Sequence, residues 1–242
     1  MDINDDLKIK EYIENQFICK FGLKEHLEQI VEGKFYFNPL SKYARDDKSG
    51  DMVYDVNEGS MIIESPAIIK VEIDGHWREL GKTDKTTFRL KNNNEIGNIS
   101  FSKPKLNIVN VKGNKYELEF DEKYLNNMKE TCVDYTHVYL GRRDNIETSL
   151  YAMKRDFYFD DVIYYDPKSL DTDIFMKVMP HYLKTKDYEY QREIRACLHS
   201  NKMGLMESPI KPGGAVVHVN QNIMFGCVFN EGLNDNASSH SS

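Results

Sequence analysis

The chain has 242 residues, of which 32 are Lys or Arg and 39 are Asp or Glu, so its formal net charge is −7. This acidic balance argues against a general nucleic-acid binder, which needs clustered basic residues to neutralise phosphates. Hydrophobic residues make up 40% and charged residues 29% of the chain, values that exclude wholesale disorder. A chain of this length can bury a sizeable core without disulfides or metals.

The cysteines and the apolar segments indicate the compartment. Cys19, Cys132, Cys197 and Cys227 form no CxxC pair and have no metal-binding spacing with histidine. The longest apolar stretches are far shorter than the ~18 residues that cross a bilayer, and the first residues do not resemble a signal peptide. We therefore expect a cytoplasmic protein with reduced thiols and no membrane attachment.

The predicted elements begin with a helix, a tight turn and a strand. Leu23, Leu27 and Ile30 have the spacing of an amphipathic helix, which Gly33 is expected to end. Residues 35–37 are then predicted to form a buried strand, followed by a polar, acidic loop over residues 43–59.

The rest of the chain alternates strands and helices without βαβ regularity. Residues 60–120 are predicted as a β-rich insert, with a hairpin around Asp74-Gly75. Further strands are predicted at 98–101, 106–111, 116–120, 133–140, 157–165, 188–199, 216–219 and 224–229, and helices at 121–131, 145–155 and 170–183. This pattern predicts an α+β fold with a mixed or antiparallel sheet. We expect one elaborated domain over residues 1–233 and a disordered tail over 234–242.

Residues 188–198, Tyr-Glu-Tyr-Gln-Arg-Glu-Ile-Arg-Ala-Cys-Leu, carry the most informative chemical pattern. On a strand, Gln191, Glu193 and Arg195 share one face, with Gln191 and Glu193 roughly 7 Å apart. That spacing would allow both side chains to hold one small ligand. Two alternatives stay open: a solvated strand face whose Glu193 and Arg195 pair with charged neighbours, and a helix, since Gln, Arg and Glu favour helices.

The Gln-x-Glu pattern of Gln191 and Glu193 resembles the signature of the ADP-ribosyltransferase superfamily. The resemblance implies a fold of that type and NAD as the donor substrate. It also implies that Glu193 is the catalytic carboxylate and that Gln191 orients the acceptor. Breaking the bond to nicotinamide creates an oxocarbenium-like centre, which a carboxylate on the ribose hydroxyl would stabilise.

A second block supports this resemblance. Residues 33–40 and the Glu58-Gly59 pair, together with residues 185–199, resemble motifs of a group of uncharacterised bacterial and phage proteins. Similar openings and late Gln-x-Glu strands occur in DarT-like enzymes, which ADP-ribosylate nucleic acid. The resemblance implies a toxin or phage-defence effector that acts on a nucleic-acid or protein acceptor and has an inhibitor or antitoxin as a partner.

The superfamily usually holds NAD with an Arg or His from an early strand and an aromatic ring that stacks on nicotinamide. Here the early strand departs from that pattern and offers only Tyr36 and Asn38. Arg45 in the following loop could serve in place of the early-strand Arg or His, and Tyr43 is the candidate for stacking. A Tyr beside a strand also packs often in cores, and a lone strand His is often structural. The candidates around NAD are Tyr36, Asn38, Tyr43, Arg45, His137 and Arg195.

Two other functions remain open from the sequence. A non-catalytic member of the same group would bind a protein or nucleic-acid partner. A metal-dependent nuclease would use an acidic cluster, although its spacing does not match an EF-hand loop. That cluster comprises Asp46, Asp47, Asp51, Asp55 and Glu58. Scattered basic residues, namely Arg142, Arg143, Lys154, Arg155, Lys184, Lys186 and Arg192, either line a nucleic-acid groove or are solvated charges.

Overall fold

The structure is a computed structural model that describes residues 3–43, 57–64, 66–89, 95–112, 115–132, 134–169, 178–200, 203–220 and 224–228. These ranges contain four α-helices: α1 (Ile3–Gln16), α2 (Lys24–Val31), α3 (Glu122–Thr131) and α4 (Arg143–Ala152). The strands in chain order are β1 (Phe17–Gly22), β2 (Lys34–Pro39), β3 (Ser60–Ile63), β4 (Ala67–Ile73), β5 (His76–Thr83), β6 (Thr86–Arg89), β7 (Ile96–Ser102), β8 (Leu106–Lys112), β9 (Lys115–Phe120), β10 (His137–Arg142), β11 (Phe157–Asp161), β12 (Ile163–Tyr165), β13 (Leu183–Thr185), β14 (Glu193–His199), β15 (Gly204–Glu207), β16 (Ala215–His218) and β17 (Met224–Val228). The chain is therefore α+β, as predicted.

An eight-stranded antiparallel sheet forms the centre of the molecule. Six strands run in the order β11-β14-β7-β1-β10-β16, while β2 pairs with both β7 and β15. Strands β8, β9 and β17 form a separate sheet, and β3–β6, β4–β5 and β12–β13 form pairs. The predicted β-rich range of residues 60–120 thus contributes β7 to the central sheet.

One edge of β7 is shared by two strands, and this divides the sheet. Cys19 of β1 pairs with Ser102 at one end of β7, and Asn38 of β2 pairs with Asn98 near the other. Residues 99–101 pair with neither strand. A fork between β1 and β2 therefore opens at the middle of β7.

Two hydrophobic clusters pack on the central sheet because its strands alternate their side chains. Ile18 of β1 joins the first cluster, with residues of α2, α4 and β14. Its neighbour Cys19, together with Phe21, joins the second, with residues of α3, β8 and β9. Both faces of the central sheet are consequently covered at β1.

Several predicted elements are confirmed. The helix before Gly33 is α2, and Gly33 has φ 80°, where an added Cβ would lie 3.2 Å from the carbonyl oxygen of Ile210. The predicted hairpin is β4–β5, with φ 53° at Asp74 and 76° at Gly75, the signs that an Asp-Gly turn requires. Helix α3 begins where Asp121 accepts a hydrogen bond from the backbone of Tyr124.

Other predictions were wrong or incomplete. Helix α1 and strands β1 and β15 were not predicted. The strand predicted over residues 188–199 begins only at Glu193, because Lys186–Gln191 is a 3₁₀ helix. Of the helix predicted over residues 170–183, Pro180–Tyr182 is another 3₁₀ helix and Leu183 begins β13. Residues 170–177 and the tail over 234–242 lie outside the described residues. None of the described helices has the length and apolar character needed to span a membrane.

Candidate functional site

The fork in the central sheet opens into a cleft with a volume of about 700 Å³. Residues of β1, α2, β2 and β7 line it, with the C-terminal end of α3 and residues of the 184–193 segment. Cavities of this size hold small-molecule ligands in many proteins. The cleft therefore has the size of a small-molecule binding site.

Four charged side chains, here called the ion cluster, are buried beside or beneath this cleft: Glu58, Lys184, Glu193 and Arg195. The guanidinium of Arg195 donates from Nε to Oε1 of Glu193 at 2.7 Å and from Nη2 to Oε2 of Glu58 at 2.9 Å. It also donates from Nη1 to the carbonyl oxygen of His181 at 2.5 Å. Two carboxylates and two cations thus balance in charge, as buried ions require.

The alternation of β14 places half of this cluster. Ile194 and Ala196 point into the first hydrophobic cluster, so Glu193 and Arg195 point to the other face. The sequence predicted that shared face correctly. It is buried rather than solvated, since Glu193 is 6% exposed and Arg195 is 0% exposed.

A turn at Arg192 places Gln191 beside Glu193 although the two are not on one strand. Arg192 is left-handed, with φ 47° and ψ 47°, an uncommon backbone for a non-glycine residue. Its guanidinium donates to Oε2 of Glu14 at 2.7 Å and to the carbonyl oxygen of Pro104 at 3.0 Å. After this turn, Lys184 Nζ lies 2.9 Å from both Gln191 Oε1 and Glu193 Oε2.

The ion cluster keeps the Glu193 carboxylate and the Lys184 ammonium charged. Burial alone would raise the pKa of Glu193, but Arg195 and Lys184 outweigh it and hold the pKa well below its usual range. Burial alone would lower the pKa of Lys184, yet Glu193 and Glu58 raise it. At neutral pH, Glu193 is therefore a carboxylate in a buried position that lines the cleft.

Neighbouring polar groups fix the position of Glu193. The Ser100 hydroxyl is a hydrogen-bond partner of its carboxylate and accepts from Nδ2 of Asn98 at 3.0 Å. The backbone N–H of Glu193 donates to the Tyr164 hydroxyl at 2.8 Å. The main chain and the side chain of Glu193 are both held, so its orientation is set before any ligand arrives.

Lys20 of β1 supplies a cation that belongs to no carboxylate pair of the described structure. Its Nζ donates to the carbonyl oxygen of Ser100 at 2.6 Å and lies 5.7 Å from the centre of the Phe101 ring. Burial lowers the pKa of Lys20, an effect that Glu193 partly offsets. Since Ser100 lies where β7 pairs with neither β1 nor β2, Lys20 occupies the fork itself.

The early strand and the residues after it line the outer part of the cleft. Tyr36 is 54% exposed there. Asn38 donates from Nδ2 to the Tyr43 hydroxyl at 3.0 Å and accepts from Lys42 Nζ at 3.1 Å. Burial raises the pKa of Tyr43 to about 12, so this phenol stays neutral.

The structure brings together five of the eight predicted site residues, all lining the cleft: Tyr36, Asn38, Tyr43, Gln191 and Glu193. Arg195, predicted to contact NAD, does not line the cleft, because its donors are engaged in the ion cluster. His137 does not line it either: its ring packs 5.1 Å from that of His218 and bonds to Thr136. Arg45 lies outside the described residues.

The predicted acidic cluster is described only at Glu58, whose carboxylate pairs with Arg195; its other members lie outside the described residues. Within the described ranges, no group of three or more His, Cys, Asp or Glu side chains has the geometry to hold a metal ion. The basic residues that the sequence left open as either a groove or solvated charges do not form a common groove where they are paired: Arg142, Arg143 and Arg192 each pair with a carboxylate.

Comparisons with known proteins find no relative. No protein-family model, no curated protein and no solved structure matches the chain.

A buried histidine beside the ion cluster makes stability depend on pH. His181 is 1% exposed, and its Nδ1 has no hydrogen-bond partner among the described residues. Burial, with His199 and Arg195 nearby, lowers the pKa of His181 to about 4. In the unfolded chain the pKa of a histidine is about 6.5. As the pH falls, the unfolded chain therefore binds this proton before the folded protein does.

We expect the free energy of unfolding to fall by about 2 kcal/mol between pH 7.5 and pH 5, measured by urea denaturation. The loss begins as the pH falls through the unfolded value and ends near the folded pKa of about 4. His181→Phe should flatten this dependence, whereas His137→Phe, a change outside the cluster, should leave it intact. If the free energy of unfolding of His181→Phe depended on pH as steeply as that of the wild-type protein, His181 would not be the source of the pH dependence.

Proposed function

We propose that the protein is an NAD-dependent ADP-ribosyltransferase whose donor site is the cleft between β1 and β2. Glu193 is the catalytic carboxylate in this proposal, and Gln191 orients the acceptor. NAD is the substrate that donates ADP-ribose, and the acceptor is a group on a nucleic acid or a protein. A role as a toxin or phage-conflict effector follows from the same resemblance.

The observation that carries the proposal is the ionised carboxylate of Glu193 lining a cleft, with the Gln191 amide beside it. In the reaction, the bond between the ribose anomeric carbon and the nicotinamide nitrogen breaks, and neutral nicotinamide leaves with the electron pair. Positive charge then develops on the ribose ring. A fixed carboxylate hydrogen-bonded to a ribose hydroxyl stabilises that charge without reorganising. The acceptor nucleophile bonds to the anomeric carbon and loses its proton.

The charge around the cleft also supports an anionic substrate. Four lysines line it, Lys20, Lys34, Lys42 and Lys184, against the carboxylates of Glu58 and Glu193. This excess of positive charge contrasts with a chain whose net charge is −7 and suits the diphosphate of NAD. Lys20 takes the place of the early-strand Arg or His that the superfamily resemblance implies.

One observation favours a second candidate, a binding protein without catalysis. A carboxylate has about four lone-pair positions, and Glu193 already receives two donors from Arg195, one from Lys184 and one from Ser100. A ribose hydroxyl has to displace one of them. If none is displaced, the cleft binds its ligand without cleaving it, and NAD binding occurs without nicotinamide release.

Titration calorimetry with NAD tests the donor site. We expect wild-type protein to bind NAD, and Lys20→Met to bind it about 10- to 100-fold more weakly, since a charge-assisted hydrogen bond is lost. Lys20→Met keeps the aliphatic part of this partly buried side chain but removes its hydrogen bond to the Ser100 carbonyl oxygen, so urea denaturation has to show that the variant is folded before its affinity is compared.

Lys103→Met is the matched control. Lys103 is also partly buried but lies outside the cleft and pairs with Asp161 at 2.7 Å. Its replacement should leave NAD affinity unchanged. Equal affinity of the wild-type protein and Lys20→Met, or no binding by the wild-type protein, would count against the donor site.

A further inference from the structure

The hairpin β4–β5 exposes large apolar side chains that nothing in the described structure covers. The exposed fractions are 52% at Ile68, 42% at Ile73, 67% at Trp77 and 67% at Leu80. An isolated two-stranded hairpin is only marginally stable in water, and further strands or a packed layer are normally needed. Further strands added along an edge of this hairpin would therefore stabilise it.

The outer edge of β4 is available for pairing. Within the described ranges, β4 pairs with β5 and with no other strand. The unpaired N–H and C=O groups of such an edge are a template for a further strand. Added strands would extend the hairpin sheet rather than the central sheet, so this surface is separate from the cleft.

The sequence of β4 is complementary to itself when two copies run antiparallel. With Val71 opposite Val71 of the second copy, Lys70 faces Glu72 and Glu72 faces Lys70. Lys70 and Glu72 share one face of the strand, and Val71 and Ile73 share the other. Opposite charges directly across strands stabilise a pair, and like charges oppose it.

We propose that two copies of this chain associate through the β4 edges and form a four-stranded antiparallel sheet in the order β5-β4-β4-β5. Charged residues on an edge strand ordinarily deter pairing with other edges. Here Lys70 and Glu72 carry opposite charges, so each meets its opposite on a second copy of β4. An edge strand with a different arrangement of charges would not form both of these pairs. The contact is two-fold symmetric, so it closes at a dimer.

Sedimentation velocity over a dilution series tests the proposal with the full chain. We expect a monomer–dimer equilibrium for the wild-type protein. Glu72→Lys and Lys70→Glu should each raise the dimer dissociation constant by about tenfold or more, because each places two like-charge pairs across the contact. Trp77 is the single Trp of the chain, so its fluorescence reports whether the hairpin environment changes with concentration.

Mixing the two variants gives the decisive comparison. A Glu72→Lys copy and a Lys70→Glu copy restore both opposite-charge pairs, so an equimolar mixture should form a heterodimer as tightly as the wild-type protein dimerises. Asp84→Lys, which changes a charge just after the hairpin, should not alter dimerisation. A wild-type protein that stays monomeric, a dimer that neither single variant weakens, or a mixture that stays monomeric would each overturn the proposal.

Discussion

Replacing Glu193 by Gln is expected to lower the rate of nicotinamide release from NAD by about 100-fold or more. The amide keeps the size of the side chain and one acceptor oxygen, but it removes the negative charge that faces the developing oxocarbenium centre. Affinity for NAD should change little, because the loss falls on the transition state. Turnover measured by nicotinamide release and affinity measured by calorimetry separate the two effects.

The stability of the ion cluster has to be controlled in that experiment. Glu193→Gln leaves the two cations Arg195 and Lys184 with a single carboxylate. The double variant Glu193→Gln, Lys184→Met also removes one cation and so restores the balance of charge in the ion cluster. Glu117→Gln, the same chemical change at a partly exposed strand residue, is the matched control and should keep full turnover. A folded Glu193→Gln protein with wild-type turnover would exclude Glu193 as the catalytic carboxylate.

Replacing Arg195 by Met is expected to lower the free energy of unfolding by about 3–5 kcal/mol, measured by urea denaturation. Arg195 is fully buried and donates to both Glu58 and Glu193. Without it, Lys184 alone faces two buried carboxylates, and the carbonyl oxygen of His181 loses a donor. The penalty comes from this uncompensated charge rather than from lost packing.

A solvated arginine supplies the comparison. Arg142 pairs with Asp144 at 2.7 Å, but both side chains are more than half exposed, so Arg142→Met should cost less than about 1 kcal/mol. Adding Glu58→Gln to Arg195→Met should recover part of the loss, because it removes one unpaired charge. Equal, small losses for Arg195→Met and Arg142→Met would show that the ion cluster contributes little to stability.

Local patterns were sufficient for much of the fold. The spacing of Leu23, Leu27 and Ile30 before Gly33 predicted α2 and its end, and Asp74-Gly75 predicted the turn of the hairpin. Strand β1 was missed because its six residues have no clear alternation and follow α1 without a turn residue. The division of the sheet at β7 depends on pairing between distant strands, which no local pattern reveals.

In the candidate site, too, local patterns predicted some features, and contacts between distant residues determined the others. The two-residue period placed Glu193 and Arg195 on one face, and the Glu-Gly and early-strand blocks drew attention to Glu58 and Tyr36. The partnership of Glu58 with Arg195 joins residues 137 positions apart, so spacing could not predict it. Lys20 had no signal of its own, since a single Lys in a strand becomes informative only when its surroundings are known to be a cleft.

The most direct test of the central claim is the release of nicotinamide from NAD by purified wild-type protein in the presence of cell extract. Labelling the adenosine part of NAD follows where the ADP-ribose goes. We expect nicotinamide release together with label on a macromolecule, both lost in Glu193→Gln. Binding of NAD without release would favour the non-catalytic candidate, and neither binding nor release would contradict the assignment of the cleft as an NAD site.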